Sequence, residues 1–375
     1  MKPGQEGFRI ELLPARHGDC LWIEYGDPVR PCRILIDGGP AFAYPALRRR
    51  IERLPTNDRR IDLLVVTHID ADHIEGVIRL LRDTALGLSI GDVWYNAWRQ
   101  LVPKQKGLAP AELDYGALQG EYLSALIQAR RLPWNAAFDG GAVLAASSGE
   151  PPALALPGGA RATVLSPTQA ELAALRDAWE SELEEAGLEP DSPEEAMQRL
   201  ARAKRLAPPP SFGLELPDLD ELACEPFNCD RAVANGSSIA LLLEYAGRSA
   251  LLLGDAHPDV VEATIARLPA TAAVPRLAVD IVKVPHHGSR NNVSRSLLQR
   301  LQSDRFLISS DGSYFNHPDP EAIARLVKAG ATSPTLFFNY RSRRTAPWED
   351  PRLQARHGYR TVFPQTAGEG VAVDL

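Results

Sequence analysis

Residues 61–73 read Ile-Asp-Leu-Leu-Val-Val-Thr-His-Ile-Asp-Ala-Asp-His, and the fold turns on how this stretch changes character at Thr67. Residues 61–67 are nearly all apolar, which suits a strand buried on both faces. From Ile74 onward Ile74, Val77, Ile78 and Leu81 recur at helical spacing. Between strand and helix, His68, Asp70, Asp72 and His73 place four metal-ligand side chains within six residues. In an extended segment His68 and Asp70 project to the same side. The turn into the helix then swings Asp72 and His73 toward a second position. This arrangement suits two cations sharing one loop. A plain solvated loop with Asp72 as helix N-cap would leave His68, Asp70 and His73 without a task.

Outward from this stretch the pattern alternates. Residues 8–13, 20–25 and 33–37 read as strands of a meander, bounded by Gly, Pro and Asp. Residues 44–54 read as helix and 90–95 as strand. A helix is predicted at 117–131 and a strand at 161–166, ended by Pro167. Residues 168–206, rich in Ala, Leu, Glu and Arg, predict one or two surface helices. Residues 207–234, with Pro208-Pro209-Pro210, predict an irregular connection. The second half restarts with a hairpin, 238–245 and 249–254, followed directly by Asp255. A helix at 258–268, a strand at 279–284, a helix at 294–302, a strand at 305–309 and a helix at 320–329 follow, with strand-like pieces at 334–339 and 371–374. This is an α/β pattern, read as one domain over residues 1–375 with a helical and irregular insertion at 168–234.

Polar clusters stand at four strand ends: Asp37, His68–His73, Asp255 and the pair His286–His287. Ligand sites in α/β folds form where such ends converge. Asp255 alone would read as a helix cap, but beside a metal loop it is a natural bridging carboxylate. Adjacent histidines after an apolar strand are expensive without partners, so at least one of His286 and His287 is expected to bind metal. Gly288 permits close backbone approach. Asp37 fits best as the acceptor that orients a ligand imidazole. His317, in Asn316-His317-Pro318, is a weaker candidate, and Asp19 and Asn235 are possible helpers. His17, His257 and His357 read as structural or exposed.

The 375 residues with 45% hydrophobic content can bury a large core. The net charge of −7 gives no broad grip on nucleic acid, although Arg341, Arg343 and Arg344 beside Tyr340 form a local basic strip. Cys20, Cys32, Cys224 and Cys229 lack a metal-finger spacing and read as free thiols. Residues 1–11 carry no secretory signal pattern, and no run approaches the ~18–20 apolar residues of a membrane span. A cytoplasmic location is expected, without membrane partners.

His68–His73 (HIDADH) resembles the HxHxDH signature of the metallo-β-lactamase superfamily. It is most similar to the HxDxDH variant of the C-terminal domain of the DNA-uptake protein ComEC and of related stand-alone hydrolases. Further pieces match in order: HGDC, LIDGG, ANGSS, LLLGD, VKVPHHGS and NHP. The resemblance covers about residues 8–100 and 235–330. It implies a four-layer αββα sandwich and two divalent ions, zinc or manganese. By the same resemblance His68 and Asp70 hold one ion, Asp72 and His73 the other, and Asp255 bridges. His286 is favoured to complete the second site, with His287 lining it. Asp70 stands where many members have His, and Asn235 where a later histidine is usual. Such oxygen-richer ligation tilts from zinc toward manganese or a mixed site.

The implied chemistry is hydrolysis, foremost of a phosphodiester in DNA, RNA or a nucleotide, through a hydroxide bridging the two metals. Asp72, His287 and His317 are the catalytic candidates, with His287 or His317 protonating the leaving oxygen. Ser289 and Asn235 are the substrate-binding candidates. The alternatives are a hydrolase of a small substrate, such as a phosphocholine-type ester, thioester or lactam, and a metal-binding module of a multi-protein defence system with little turnover.

Overall fold

The computed structural model describes residues 7–101, 116–185, 218–269, 276–329, 332–366 and 368–375. Two sheets dominate it. The first contains β1 (Gly7–Leu12), β2 (Leu21–Gly26), β3 (Cys32–Ile36), β4 (Arg60–Val65), β5 (Ser89–Trp94) and the C-terminal β16 (Val371–Asp374). Its order is β16-β1-β2-β3-β4-β5. The second contains β6 (Ala153–Ala155), β7 (Arg161–Ser166), β8 (Ala240–Tyr245), β9 (Arg248–Leu252), β11 (Ile281–Lys283), β13 (Arg305–Ile308), β14 (Thr335–Phe338) and β15 (Arg360–Val362). Its order is β15-β14-β13-β11-β9-β8-β7-β6. The short strands β10 (Leu277–Ala278) and β12 (Leu301–Gln302) pair with each other beside it.

Period-two alternation explains why the sheets stack. Ile10, Ile23 and Ile34 of the first sheet share one apolar layer with Leu241, Leu243, Ile281 and Leu307 of the second. The opposite face of the first sheet buries Leu64 and Val93 against helices Tyr44–Glu52, Ala71–Arg82, Gly116–Ala129 and Gln169–Glu185. The outer face of the second buries Leu242, Leu251 and Phe306 against helices Leu219–Cys224, Pro258–Ile265, Arg295–Gln299 and Pro320–Val327. The four layers are helix, sheet, sheet, helix.

The region 168–234 departs from its sequence reading. Gln169–Glu185 is a core element: Leu172, Leu175, Trp179 and Leu183 are buried, and the Trp179 indole N–H donates to Glu121 Oε1 at 3.1 Å. Its Ala- and Glu-rich composition hid a sufficient apolar stripe. Residues 186–206 and 207–217 lie outside the described residues. Within 218–234, predicted irregular, Leu219–Cys224 is helical, capped by Asp218, and Val233–Gly236 forms one helical turn. Trp179→Ala should lower unfolding free energy by about 3–5 kcal/mol, measured by urea denaturation. A loss below about 1 kcal/mol would place the helix outside the core.

The topology positions the site. β3, β4 and β5 run parallel to one another, and so do β9, β11 and β13. The chain therefore leaves β3 toward Asp37, β4 toward His68, β9 toward Asp255 and β11 toward His286 from corresponding strand ends. Among the described residues no helix is long and apolar enough to cross a membrane.

Candidate metal centre

The ligand loop is held by backbone contacts on both sides. Gly38 N–H donates to the His73 carbonyl and Gly76 N–H to the Gly39 carbonyl, at 2.9 and 2.7 Å. A side chain on Gly38 or Gly76 would collide with the other's backbone, so this close approach requires glycine. Asp70, rather than Asp72, occupies the helix N-cap position, without a side-chain cap bond. Asp72, buried in the first turn, is left free to face the site.

Four imidazoles meet there in one orientation. His73 Nδ1 lies 2.8 Å from Asp37 Oδ2, which also accepts from the Thr67 hydroxyl at 2.7 Å. His68 Nδ1 is 3.0 Å from that hydroxyl. His287 Nδ1 is 3.0 Å from the Ser309 carbonyl, and His286 Nδ1 is 2.9 Å from Asn292 Oδ1. Each Nδ1 is thus engaged outward, which fixes the ring and leaves Nε2 facing inward. The four Nε2 atoms surround Asp255 Oδ2 at 3.3 Å (His73), 3.6 Å (His287), 3.7 Å (His286) and 3.9 Å (His68). Asp72 Oδ2 stands 3.4 Å from His287 Nε2 and 3.8 Å from His73 Nε2. Asp70 Oδ2 is 3.5 Å from His68 Nε2.

Residues 15–158 match the family model described as metallo-beta-lactamase superfamily. Over that span the chain is similar to the metallo-β-lactamase superfamily. It is 28% identical over 116 residues to ComE operon protein 3 of Bacillus subtilis (strain 168). That match takes in 31% of this chain and only 14% of that relative's length. Among solved structures it is similar to the metallo-beta-lactamase fold protein YhfI from Bacillus subtilis, with TM-score 0.39 and 9% identity over 99% of this chain and 100% of that one. A diphosphatase of the PhnP family gives TM-score 0.35 and 15% identity over 96% of this chain and 87% of that one.

The donor set of this site fits divalent cations. An ion about 2.0–2.2 Å from each of four tetrahedral donors holds those donors roughly 3.3–3.6 Å apart. Asp72, His73 and His287 offer donor atoms 3.3–3.8 Å apart, and Asp255, His73 and His287 offer donor atoms 3.3–3.6 Å apart. His68 Nε2 and Asp255 Oδ1 are buried without a hydrogen-bond partner, the condition expected of atoms meant for an ion. The two adjacent histidines sit differently in the cluster. His287 Nε2 lies 3.3 Å from His73 Nε2 and 3.4 Å from Asp72 Oδ2, whereas His286 Nε2 lies 3.7 Å from Asp255 Oδ2 and its Nδ1 faces Asp230 and Asn292. Both histidines have positive φ, 45° and 54°, and Gly288 follows at 85°. This left-handed run brings both Nε2 atoms within 3.7 Å of Asp255 Oδ2, at a strain cost of about 1–3 kcal/mol for each non-glycine residue.

Electrostatics point the same way. Burial alone would depress His73, but the carboxylates of Asp255, Asp72 and Asp37 outweigh it and hold the ring well above its ordinary value. His287 is pushed up to about 9 by Asp255, Asp19 and Asp72 against the same opposing burial. Burial would raise Asp72 and Asp255, yet the surrounding histidines keep both carboxyls far below the usual range. The pocket gathers positive charge, and divalent ions supply it most compactly.

The remaining candidates divide. Asp37 holds His73, as just described. Asp19 Oδ1 lies 3.3 Å from His287 Nδ1, while Oδ2 accepts from Lys283 Nζ at 2.6 Å. Asn235 is buried and donates to Asp230 Oδ2 at 2.7 Å. It does not line the neighbouring cavity, which includes Ser289 and His317. His317 stacks edge-on to His286 with centroids 5.2 Å apart, and burial lowers its pKa. His257 donates to the Ala232 carbonyl and His17 packs among aromatic rings. Asp230, Asn292, Thr67 and Lys283 escaped the sequence reading. Only Lys283 left a signal, a lysine inside the apolar run VDIVKV. Asp37→Ala should reduce metal affinity about 10–100-fold, read by competition with a chromophoric chelator. Unchanged affinity would make the Asp37–His73 contact purely structural.

Proposed function

We propose that this chain is a phosphodiesterase that uses two divalent ions, zinc or manganese, at His68, Asp70, Asp72, His73, Asp255, His287 and His286. One observation carries the reading: four imidazole Nε2 atoms converge on one carboxylate oxygen, with each Nδ1 already engaged elsewhere. Metal-dependent hydrolysis is the chemistry of the superfamily, and the phosphodiester is the finer step taken here. When bound, the ions supply Lewis-acid polarisation of the phosphoryl group and lower the pKa of water. Asp255 and Asp72 bring the negative charge that would hold the ions. Asp37, Ser309 and Asn292 keep His73, His287 and His286 from rotating away.

His287 is committed at both ring nitrogens, so His317 at the cavity wall is the better placed group to hydrogen-bond the leaving oxygen. Burial lowers its pKa, and Asp319 stands 3.4 Å from its Nδ1. Asp70 and Asn235, standing where histidines are more usual, leave the first site richer in oxygen and tilt it toward manganese. Metal content of the purified protein, with bis-p-nitrophenyl phosphate hydrolysis in added Mn²⁺ or Zn²⁺, tests the reading. Two ions per chain and metal-dependent turnover are expected. Failure to bind any metal under loading overturns the metal centre, and metal without turnover overturns the phosphodiesterase assignment.

A further inference from the structure

Beside the histidine cluster lies a cavity of about 520 Å³ whose walls include His286, Ser289, Phe315, His317 and Arg344. Its size falls within the range of small-molecule sites, about 300–1,000 Å³. The basic strip near Tyr340 separates here into three fates. Arg341 pairs with Glu349 and lies 4.6 Å over the Phe363 ring. Arg343 is exposed. Arg344 is half-buried against Gly312, and its Nε is buried without a hydrogen-bond partner. Among the described residues no carboxylate pairs with it. The other wall cation, Arg290, is taken by Glu321 at 2.9 Å. A half-enclosed guanidinium fork without an acid is suited to a phosphate.

Phe315 joins this cavity to an aromatic shelf. Its ring lies 4.5 Å from that of Tyr314, and His17 sits 5.0 Å from Tyr314, 5.8 Å from Phe315 and 5.6 Å from Phe42. Phe42, Tyr314 and Phe315 are 54%, 37% and 44% exposed, so three large rings around one histidine face solvent at the mouth of the site. On the inner side Phe315 lies near-parallel to His317 at 6.2 Å, and His317 adjoins His286. An aliphatic group would favour a concave apolar wall. Here aromatic faces stand beside Asn291 and Asn316, a pairing suited to the faces and edges of a base.

We propose that Arg344 and the Phe42–Tyr314–Phe315 shelf form a substrate subsite for a nucleobase joined to a phosphodiester. Arg344 takes a nonbridging phosphate oxygen and the shelf stacks the unpaired base. This rests on the phosphodiesterase reading and narrows its substrate. The probe is the slowly hydrolysed phosphorothioate analogue of dithymidine phosphate, titrated calorimetrically onto the metal-loaded full chain, with a labelled single-stranded oligothymidylate in parallel.

Phe315→Ala should weaken dinucleotide binding roughly five- to a hundredfold, and Arg344→Met about tenfold or more. Both variants should melt near the parent temperature, since Phe315 is exposed and Arg344 forms no ion pair among the described residues. Turnover of methyl p-nitrophenyl phosphate, which has no base, should fall in Arg344→Met, and in Phe315→Ala it should fall several-fold less than dinucleotide binding does. Similar affinity for the dinucleotide and the oligomer identifies a free nucleotide as the source, and much tighter oligomer binding identifies a single strand. Dinucleotide binding unchanged in both folded variants overturns the subsite. A parent protein that binds the dinucleotide in a Phe315-dependent way, yet hydrolyses no phosphodiester, keeps the subsite and overturns the hydrolytic reading.

Discussion

Asp255→Asn should strip the protein of at least one of its two ions and lower phosphodiester turnover by about 10²–10⁴-fold, the loss expected when several kcal/mol of metal-derived stabilisation disappears. The substitution preserves shape, so the effect is one of charge. Asp255 Oδ2 lies within 3.9 Å of all four inward-facing Nε2 atoms. Its backbone N–H donates to Ser238 Oγ at 3.0 Å, a bond the amide variant keeps, so the segment after β9 should hold its place. An amide has no negative charge to share between two cations. Metal content by elemental analysis and turnover of bis-p-nitrophenyl phosphate read the two effects separately. Two ions retained with activity within tenfold of the parent would remove Asp255 from the centre of the site. Asp70→Asn should be milder, since Asp70 is 39% exposed and meets only His68.

The parts of this molecule legible in its sequence are those governed by periodicity. β7 occupies residues 161–166 and β16 residues 371–374, the spans that alternation gives. The helix Ala71–Arg82 follows the Ile74–Leu81 stripe because that stripe packs on the first sheet. The clustering of Asp37, His68, His73 and Asp255 was legible for a related reason: polar residues after apolar strands collect where parallel strands end. What stayed hidden depends on backbone geometry that composition does not encode. In an extended chain, His286 and His287 would point to opposite sides, and nothing in PHHGS announces two successive left-handed non-glycine residues. Asp230 lay within an acidic stretch resembling a linker, and only the fold carries it to His286. The arginines of the 341–344 strip look equivalent in sequence, yet Glu349 neutralises one and leaves Arg344 to the cavity.

Lys283→Met is expected to destabilise the protein by about 3–5 kcal/mol at neutral pH, the cost of leaving one member of a buried ion pair without its partner. That corresponds to a fall in melting temperature on the order of 10 °C. Lys283 Nζ reaches Asp19 Oδ2 at 2.6 Å and the Val284 carbonyl at 2.9 Å, with both side chains 1% exposed. Burial would raise the Asp19 carboxyl, but Lys283 and His287 hold it far below the usual range. A depressed carboxyl stabilises the fold above its unfolded pKa of about 3.9 and loses that contribution as pH falls through the folded value. Without Lys283 the depression shrinks, and Asp19 can take up a proton in the folded variant at mildly acidic pH. The stability gap between parent and variant should therefore be widest near pH 7.5 and narrow toward pH 4.5, read by urea denaturation at both. Asp19→Asn added to Lys283→Met should recover part of the loss, because the uncompensated charge is gone. A gap that widens on acidification, or a double variant no better than Lys283→Met, would mean that the lysine acts through packing alone. Because Asp19 also touches His287 Nδ1, the single variant should weaken metal binding, whereas a packing role would leave metal affinity unmoved.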